Sequence, residues 1–300
     1  MAFNVDGISE KEKNDKPDHC LFSPGAVMIS GMEKITSLQN ERVKRIIKLQ
    51  RKASARREEG LTVIEGAREV SRAMENGWRP VELWLCPAFA KASAGGPELG
   101  NDKPQTAAAG CEGFESSRAV FEKISYREGP DGVLAVGPLV GKTLAELKLP
   151  KNPLILVAEG LEKPGNLGAL LRTADGAGAD AVIVCDAATD LNNPNVIRAS
   201  IGTLFYLPVA EATAEETLAF LKGKGVKILS AVPDAKAVYT DVDLTGPVAI
   251  VVGAEDKGLS NVWKTGADLN VKIPMLGKND SLNVSVSAAI LLYEAVRQRR

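Results

Sequence analysis

Short apolar runs separated by helix-like stretches recur along the second half of the chain. Helical patterns occupy 166–178 and 214–225, where apolar positions repeat every three or four residues. Uninterrupted apolar runs are typical of parallel strands that are covered on both faces. The pattern therefore predicts an α/β fold built on a parallel sheet. The runs that predict its strands are 154–158, 181–185, 205–209, 226–232, 248–253 and 271–274.

The first half predicts a smaller α/β unit. One amphipathic helix is predicted to end near Gly60, and its apolar face is marked by Ile35, Val43, Ile46, Ile47 and Leu49. The stretch 88–118 is rich in Ala, Gly, Pro and Ser, which predicts a long surface loop. Further predicted strands are 61–66, 81–86 and 132–137, and further predicted helices are 67–77 and 120–125.

These patterns divide the chain into four parts. Residues 1–31 are polar and predict a flexible leader, and 32–138 form the first α/β unit. A linker is predicted for 139–152, because prolines punctuate it, and the parallel-sheet unit follows at 153–300. Three hundred residues are enough for two domains with separate cores.

Composition indicates a soluble globular protein, with 45% hydrophobic and 25% charged residues. No apolar run approaches the ~20 residues that a membrane span needs, and the N-terminus lacks a secretory pattern. The four cysteines show no CxxC spacing, which disfavours a disulfide framework and structural zinc. We therefore expect a cytoplasmic protein without a membrane partner.

The chain contains a single histidine, His19, within the polar leader. Ser-His-Asp, Cys-His and two-histidine metal sites therefore lack an essential part. Proton transfer must use carboxylates, arginine-assisted phosphate chemistry or water, and we expect no metal. The chain also lacks GxGxxG, and Gly137-PLVGKT is one residue too short for a phosphate loop. A nucleotide-like cofactor would need a different cradle.

Basic residues crowd into the predicted helix that ends near Gly60. One interpretation is a solvated helix face, and the other is a surface that binds a phosphate backbone. Acids are nearly absent between Arg42 and Arg57, which argues against a surface covered by salt bridges. The candidate RNA-binding residues are Arg42, Lys44, Arg45, Lys48, Arg51 and Lys52, and Arg56 and Arg57 extend the stripe.

The first chemistry-bearing segment starts at Glu159. Asn166 is predicted to be a helix N-cap after a Pro-Gly loop. Gly168 and Arg172 are four residues apart and share a helix face, so the glycine could leave space for a substrate beside the guanidinium. The alternative is that Gly165 and Gly168 only serve a tight turn between strand and helix, and that Arg172 pairs with an acid. Arg198 lies on a helix before a strand, where a surface arginine is the default.

Two further segments follow near the C-terminus. A strand ends at Gly253 and continues into Glu255, at the edge where open α/β sheets bind ligands. Another strand ends at Ile273, a polar loop follows, and the triplet 281–283 opens a helix that runs almost to the C-terminus. Exposed backbone groups beside a helix start suit a small polar ligand.

These three segments closely resemble the three motifs of the SpoU (TrmH-like) RNA ribose methyltransferases of the SPOUT superfamily. The resemblance implies S-adenosylmethionine bound in a trefoil-knotted C-terminal loop, and a homodimer packed through the C-terminal helix. It implies that Arg198 holds RNA phosphates, for which a guanidinium fork is suited. It assigns catalysis to Arg172, Asn166, Glu255, Ser281 and Asn283, and cofactor contacts, largely through backbone groups, to Gly253, Ile273 and Leu282.

The first unit resembles that family's substrate-binding domain, which has an L30e-like fold. The resemblance rests on Ile35-TSLQN, Val43-K, Val63-IEG and Gly132-VLAV, whereas Glu41 and the long loop depart from the family pattern. The sequence therefore predicts an S-adenosylmethionine-dependent 2'-O-ribose methyltransferase acting on structured RNA, with ribosomal RNA preferred. The alternatives are a tRNA ribose methyltransferase and a non-catalytic RNA-binding protein.

Overall fold

The structure, a computed structural model, describes residues 32–90 and 111–300. The predicted leader with His19, and 91–110 of the predicted loop, lie outside the described residues. The strands are β1 Glu33–Ile35, β2 Leu61–Glu65, β3 Glu82–Leu85, β4 Glu112–Ser116, β5 Val133–Pro138, β6 Leu154–Glu159, β7 Ala181–Cys185, β8 Val209–Ala212, β9 Lys227–Ala231, β10 Ala237–Val238, β11 Val248–Val252 and β12 Leu269–Lys272. The helices are α1 Glu41–Arg51, α2 Ala53–Glu59, α3 Ala67–Glu75, α4 Pro87–Ala90, α5 Arg118–Ile124, α6 Pro164–Gly176, α7 Pro194–Ala199, α8 Ala214–Gly223, α9 Asn261–Gly266 and α10 Val284–Arg299.

The N-terminal strands form a mixed sheet in the order β1-β4-β3-β5-β2. β4 is parallel to both of its neighbours, and β5 is antiparallel to β3 and β2. Trp84, Phe114 and Phe121 are fully buried beside this sheet, and the rings of Trp84 and Phe114 lie 4.7 Å apart. The predicted small α/β unit is therefore confirmed.

Two N-terminal predictions are wrong in part. Ile35 does not lie on the amphipathic helix but in β1, where its side chain is buried in the core. The predicted single helix is two helices, α1 and α2, because Lys52 between them has an extended backbone with a φ of −120°. β4 lies inside the stretch that was predicted to be a loop, and it pairs with β1 and β3. Its polar composition hides the strand, since only Phe114 and Ser116 of it are buried.

The C-terminal strands form a wholly parallel sheet in the order β10-β12-β9-β11-β6-β7-β8. Alternate residues of β6 and β11 point to opposite faces, and both faces are buried. Leu156 and Ile250 pack under α6 and α10, whereas Ile155 and Val251 pack toward α8 and α9. The predicted parallel α/β sheet is confirmed, with the chain crossing from β11 over β9 to reach β12.

The predicted strand 205–209 is largely wrong. A 3₁₀ turn occupies Thr203–Phe205, and the strand starts only at Val209. Pro208 lacks the N–H that a ladder inside a sheet requires, and Gly202 turns the chain with a φ of +78°. Within the described residues, no helix is long and apolar enough to cross a membrane.

Candidate active site

A pocket opens at the carboxyl ends of β9, β11 and β12, where the first turn of α10 closes it. All three predicted cofactor residues line it: Gly253, Ile273 and Leu282. Val252 adds to the apolar wall, and Glu255, Asp280 and Ser281 supply polar groups at the pocket. The position agrees with the general rule that parallel sheets bind ligands beyond the carboxyl ends of their strands.

Gly253 also has a structural role in the loop that follows β11. A β-carbon at this position would lie 2.4 Å from the carbonyl carbon of Gly258 and 2.6 Å from the backbone nitrogen of Leu259. The missing side chain thus lets the 253–258 loop close on its own backbone. The pocket wall is shaped by this closure, and Gly253 reaches the pocket as part of the closed loop.

Asn283 connects the three motif segments. Its Oδ1 accepts hydrogen bonds from the backbone nitrogen of Ser285 at 3.0 Å and from the Ser285 hydroxyl at 2.6 Å, which makes it the N-cap of α10. Its Nδ2 donates to a carboxylate oxygen of Glu255 and to Oδ1 of Asn166 at 3.3 Å. One side chain therefore ties the helix start to both earlier segments.

Glu255 is further held by a lysine that sequence reasoning did not single out. Lys163 Nζ donates to Glu255 Oε2 at 2.9 Å. This hydrogen bond, together with the lysine charge, lowers the pKa of the Glu255 carboxyl below its usual value. Glu255 is therefore an ionised acceptor at neutral pH and not a proton donor. The partnership could not be read from the sequence, because 92 positions separate the two residues.

Asn166 is not the helix N-cap, which corrects the prediction. α6 begins at Pro164 with Lys163 as its N-cap, and Asn166 is already inside the first turn. Proline suits that first position because its fixed φ is helical and its missing N–H has no partner there anyway. Asn166 is thereby placed on the side of α6 that faces Asn283.

Arg172 is exposed on α6 and, among the described residues, forms neither an ion pair nor a hydrogen bond. It is not among the residues that line the pocket. The predicted substrate space at Gly168 is wrong, because that glycine is buried against α7. A β-carbon there would lie 2.3 Å from the Ala199 β-carbon and 2.8 Å from the Ser200 backbone nitrogen. Gly168 therefore permits close helix packing.

Arg198 is exposed at the end of α7 and faces the N-terminal unit. Its guanidinium carbon lies 6.0 Å from the ring centroid of Tyr126, and Nη2 donates to Asn195 Oδ1 at 3.4 Å. Tyr126 is 50% exposed, so a tyrosine ring and an arginine from the two units present one continuous surface. Tyr126 carried no sequence signal beyond its residue type.

The expectation that the basic stripe lacks salt bridges is wrong. Arg42 pairs with Glu112 at 2.8 Å and lies over the Phe114 ring, and Arg45 pairs with Glu82 at 2.8 Å. Lys44 and Lys48 have Glu41 and Glu58 as partners, and Arg45 also pairs with Glu59. None of these partners lies between Arg42 and Arg57: three flank the stripe directly, and Glu82 and Glu112 lie on β3 and β4. The scarcity of acids within the stripe was therefore misleading.

Three basic residues of the stripe keep an unpaired, exposed charge. No described carboxylate lies within 4 Å of Arg51, Lys52 or Arg57, and all three are exposed. Arg56 differs, because its side chain is buried and pairs with Asp190. The described residues hold no cluster of three or more His, Cys, Asp or Glu that could bind a metal.

Comparison with known proteins matches both units. Residues 153–293 match the SpoU rRNA Methylase family, and 40–135 match the MRM3-like substrate binding domain. The chain is 30% identical to the 23S rRNA (guanosine(2553)-2'-O)-methyltransferase RlmP of Bacillus subtilis, over 87% of this chain and 98% of that protein. It is 42% identical to the 23S rRNA (guanosine-2'-O-)-methyltransferase RlmB of Pseudomonas putida, but that match covers 49% of this chain and only 60% of the relative.

A solved structure shows the same fold. The crystal structure of an AdoMet-bound rRNA methyltransferase from Sinorhizobium meliloti is 28% identical and superposes with a TM-score of 0.78. The superposition covers 89% of this chain and 98% of that one. These matches confirm the resemblance that the three motifs indicated.

Proposed function

Because this chain belongs to the SpoU rRNA methylase family, we propose that it is an S-adenosylmethionine-dependent RNA 2'-O-ribose methyltransferase that acts on ribosomal RNA. The observation that carries the proposal is the side-chain network centred on Asn283, which ties the family's three motif segments together around one pocket. The relatives reported above act on 23S rRNA by name. They favour ribosomal RNA over the tRNA alternative and over a non-catalytic binding protein.

The pocket fits the cofactor by the chemistry of its lining. Val252, Ile273 and Leu282 provide apolar walls for the purine ring of the cofactor. Backbone N–H and C=O groups beside them can form hydrogen bonds with the polar edge of that ring. Asp280 adds negative charge suited to the cationic amino and sulfonium groups. S-adenosylmethionine, when bound, supplies an electrophilic methyl group.

Arg172 is the residue proposed to activate the ribose hydroxyl. A guanidinium stays protonated far above neutral pH, so Arg172 is a poor general base. Instead it orients the hydroxyl and an adjacent RNA phosphate, and that phosphate or water takes the proton. Its exposure and its lack of partners among the described residues leave its donors available to RNA. Glu255, Asn166 and Asn283 hold the loops, and Ser281 contributes to the pocket rim.

The finer features of the family are part of the proposal. Two observations support a trefoil knot. After β12 the chain forms the loop that closes the pocket and then enters α10, and α10 packs on α6 beside the three loops that line the pocket. A homodimer through α10 is supported by an exposed stripe on that helix, in which Val286 is 45% and Tyr293 50% exposed. We propose that residues 32–138 form an L30e-like RNA-binding domain and that residues 153–300 form the catalytic domain, with 139–152 as the linker between them. The proposed enzyme is cytoplasmic.

A direct test measures the heat of S-adenosylmethionine addition and the transfer of a labelled methyl group to ribosomal RNA. A methyltransferase gives a binding isotherm and a 2'-O-methylated nucleotide, which can be mapped by comparing RNA with and without the protein. A non-catalytic RNA-binding protein gives neither. Transfer to tRNA but not to ribosomal RNA would favour the alternative substrate.

Reversing the unpaired charges of the basic stripe is expected to weaken RNA binding. The variant is Arg51→Glu, Lys52→Glu, Arg57→Glu. Log affinity falls as log salt rises, and each lost phosphate contact should make this slope shallower by roughly 0.7 to 0.9. A control reverses three exposed lysines elsewhere, Lys148, Lys222 and Lys224. Cofactor affinity should stay unchanged in both variants. An RNA titration with the same affinity and slope as the unaltered protein would contradict this role.

A further inference from the structure

A segment spanning residues 190–206, here called the interdomain segment, is held by the N-terminal unit. Arg56, only 3% exposed, donates to both carboxylate oxygens of Asp190, at 2.6 and 3.2 Å. The Thr62 hydroxyl donates to the backbone carbonyl of Asn192 at 2.9 Å. These contacts are buried or half-buried, and they attach the start of the segment to the N-terminal unit.

The same segment contacts α6 at two points. Ala199 lies against Gly168, at the close approach described above, and the Tyr206 hydroxyl donates to Asp175 Oδ2 at 3.2 Å. Gly168, Arg172 and Asp175 follow the spacing i, i+4, i+7 and therefore share one face of the helix. Arg172 thus lies between the two points where the interdomain segment contacts its helix.

Between these two contacts with α6, the interdomain segment contains a residue with a strained backbone. Ile201 has a φ of +54°, a left-handed conformation that a β-branched residue rarely adopts. The guanidinium of Arg72, on α3 of the N-terminal unit, donates to the Ile201 carbonyl. Its aliphatic stem packs on Gly202, where a β-carbon would lie 3.1 Å from Arg72 Cδ. Such strain persists only when surrounding contacts hold it.

We propose that Arg72 is a positioning residue for Arg172, acting through the strained turn at Ile201. By holding this turn, the N-terminal unit fixes the segment against α6 and so sets where Arg172 stands relative to the cofactor pocket. The inference rests on the proposed function for its catalytic consequence. It gives the N-terminal unit a part in catalysis that is separate from holding RNA.

The test compares Arg72→Ala with the double variant Arg72→Ala, Ile201→Gly. Loss of Arg72 should lower kcat by about 10- to 100-fold, because displaced catalytic groups lose rate steeply, while the KM for RNA and cofactor affinity change little. Glycine adopts a positive φ without strain, so the double variant should recover to within about threefold of the unaltered rate. Ile201→Val in the Arg72→Ala background keeps the strain and should not recover.

The matched control is Arg79→Ala, which removes an exposed arginine that bonds only to the carbonyls of Met74 and Trp78 among the described residues. It should leave kcat unchanged. A raised KM for RNA in Arg72→Ala, or no recovery with Ile201→Gly, would overturn the proposal and make Arg72 an RNA contact or a merely structural residue.

A second measurement keeps the inference testable if the unaltered protein transfers no methyl group, which would be a failure of the proposed function. Hydrogen exchange should then show faster exchange in Pro194–Ala199 and Pro164–Gly176 for Arg72→Ala, with recovery in the double variant. Unchanged exchange in both helices would overturn the positioning role on its own.

Discussion

Replacing Arg172 with alanine is expected to lower methyl transfer by about 100-fold or more, the scale of losing one donor at a developing charge. Cofactor affinity should stay nearly intact, because Arg172 does not line the pocket formed by Gly253, Ile273 and Leu282. Calorimetry and a methyl-transfer assay on the same preparation check the two halves. Arg172→Lys keeps the positive charge but loses the paired hydrogen bonds of the guanidinium, so its methyl-transfer rate should lie between those of Arg172→Ala and the unaltered protein. Lost cofactor binding in Arg172→Ala would contradict the assignment.

The proposed homodimer adds a sharper test of the same arginine. If Arg172 serves the pocket of the partner subunit, mixing Arg172→Ala chains with Leu282→Arg chains restores activity. Each variant alone is inactive, whereas a mixed dimer contains one complete composite site. No recovery in mixed dimers whose formation has been verified would show that Arg172 acts within its own chain.

The parallel sheet was readable from the sequence because its strands are buried on both faces. β6, β7 and β11 are continuous apolar runs, so nothing about their neighbours is needed to recognise them. The start of the last helix at 281–283 was equally local, although Asn283 was not predicted to be its N-cap. The motif resemblance added what pattern could not, namely that three distant loops meet at one pocket.

Several of the errors come from contacts between residues far apart in the chain. β4 is a strand because β1 and β3 flank it, although its own residues are mostly polar. Arg42 and Arg45 acquired acidic partners from β3 and β4, about 40 to 70 positions away. Glycine is the extreme case, because a residue without a side chain gives no sign of what lies beside it.

Gly168 and Gly165 turn that lesson into a matched comparison on one helix. Nothing lies within 4 Å of a β-carbon built at Gly165, and its φ is not positive, so Gly165→Ala should be neutral or stabilise by up to about 1 kcal/mol through helix propensity. Gly168→Ala instead forces the new methyl group into α7. Overpacking of this kind costs about 1–3 kcal/mol, to be measured by denaturant unfolding.

The clash at Gly168 predicts its own partial remedy. Adding Ala199→Gly removes the nearest atom, at 2.3 Å, but leaves the Ala199 carbonyl carbon at 2.7 Å and the Ser200 nitrogen at 2.8 Å. The double variant should therefore regain part of the lost stability and not all of it. If Gly168 instead provided space for substrate, Gly168→Ala would unfold like the unaltered protein and would only raise the KM for RNA. That result would show that Gly168 is needed for substrate binding and not for the close packing of α6 against α7.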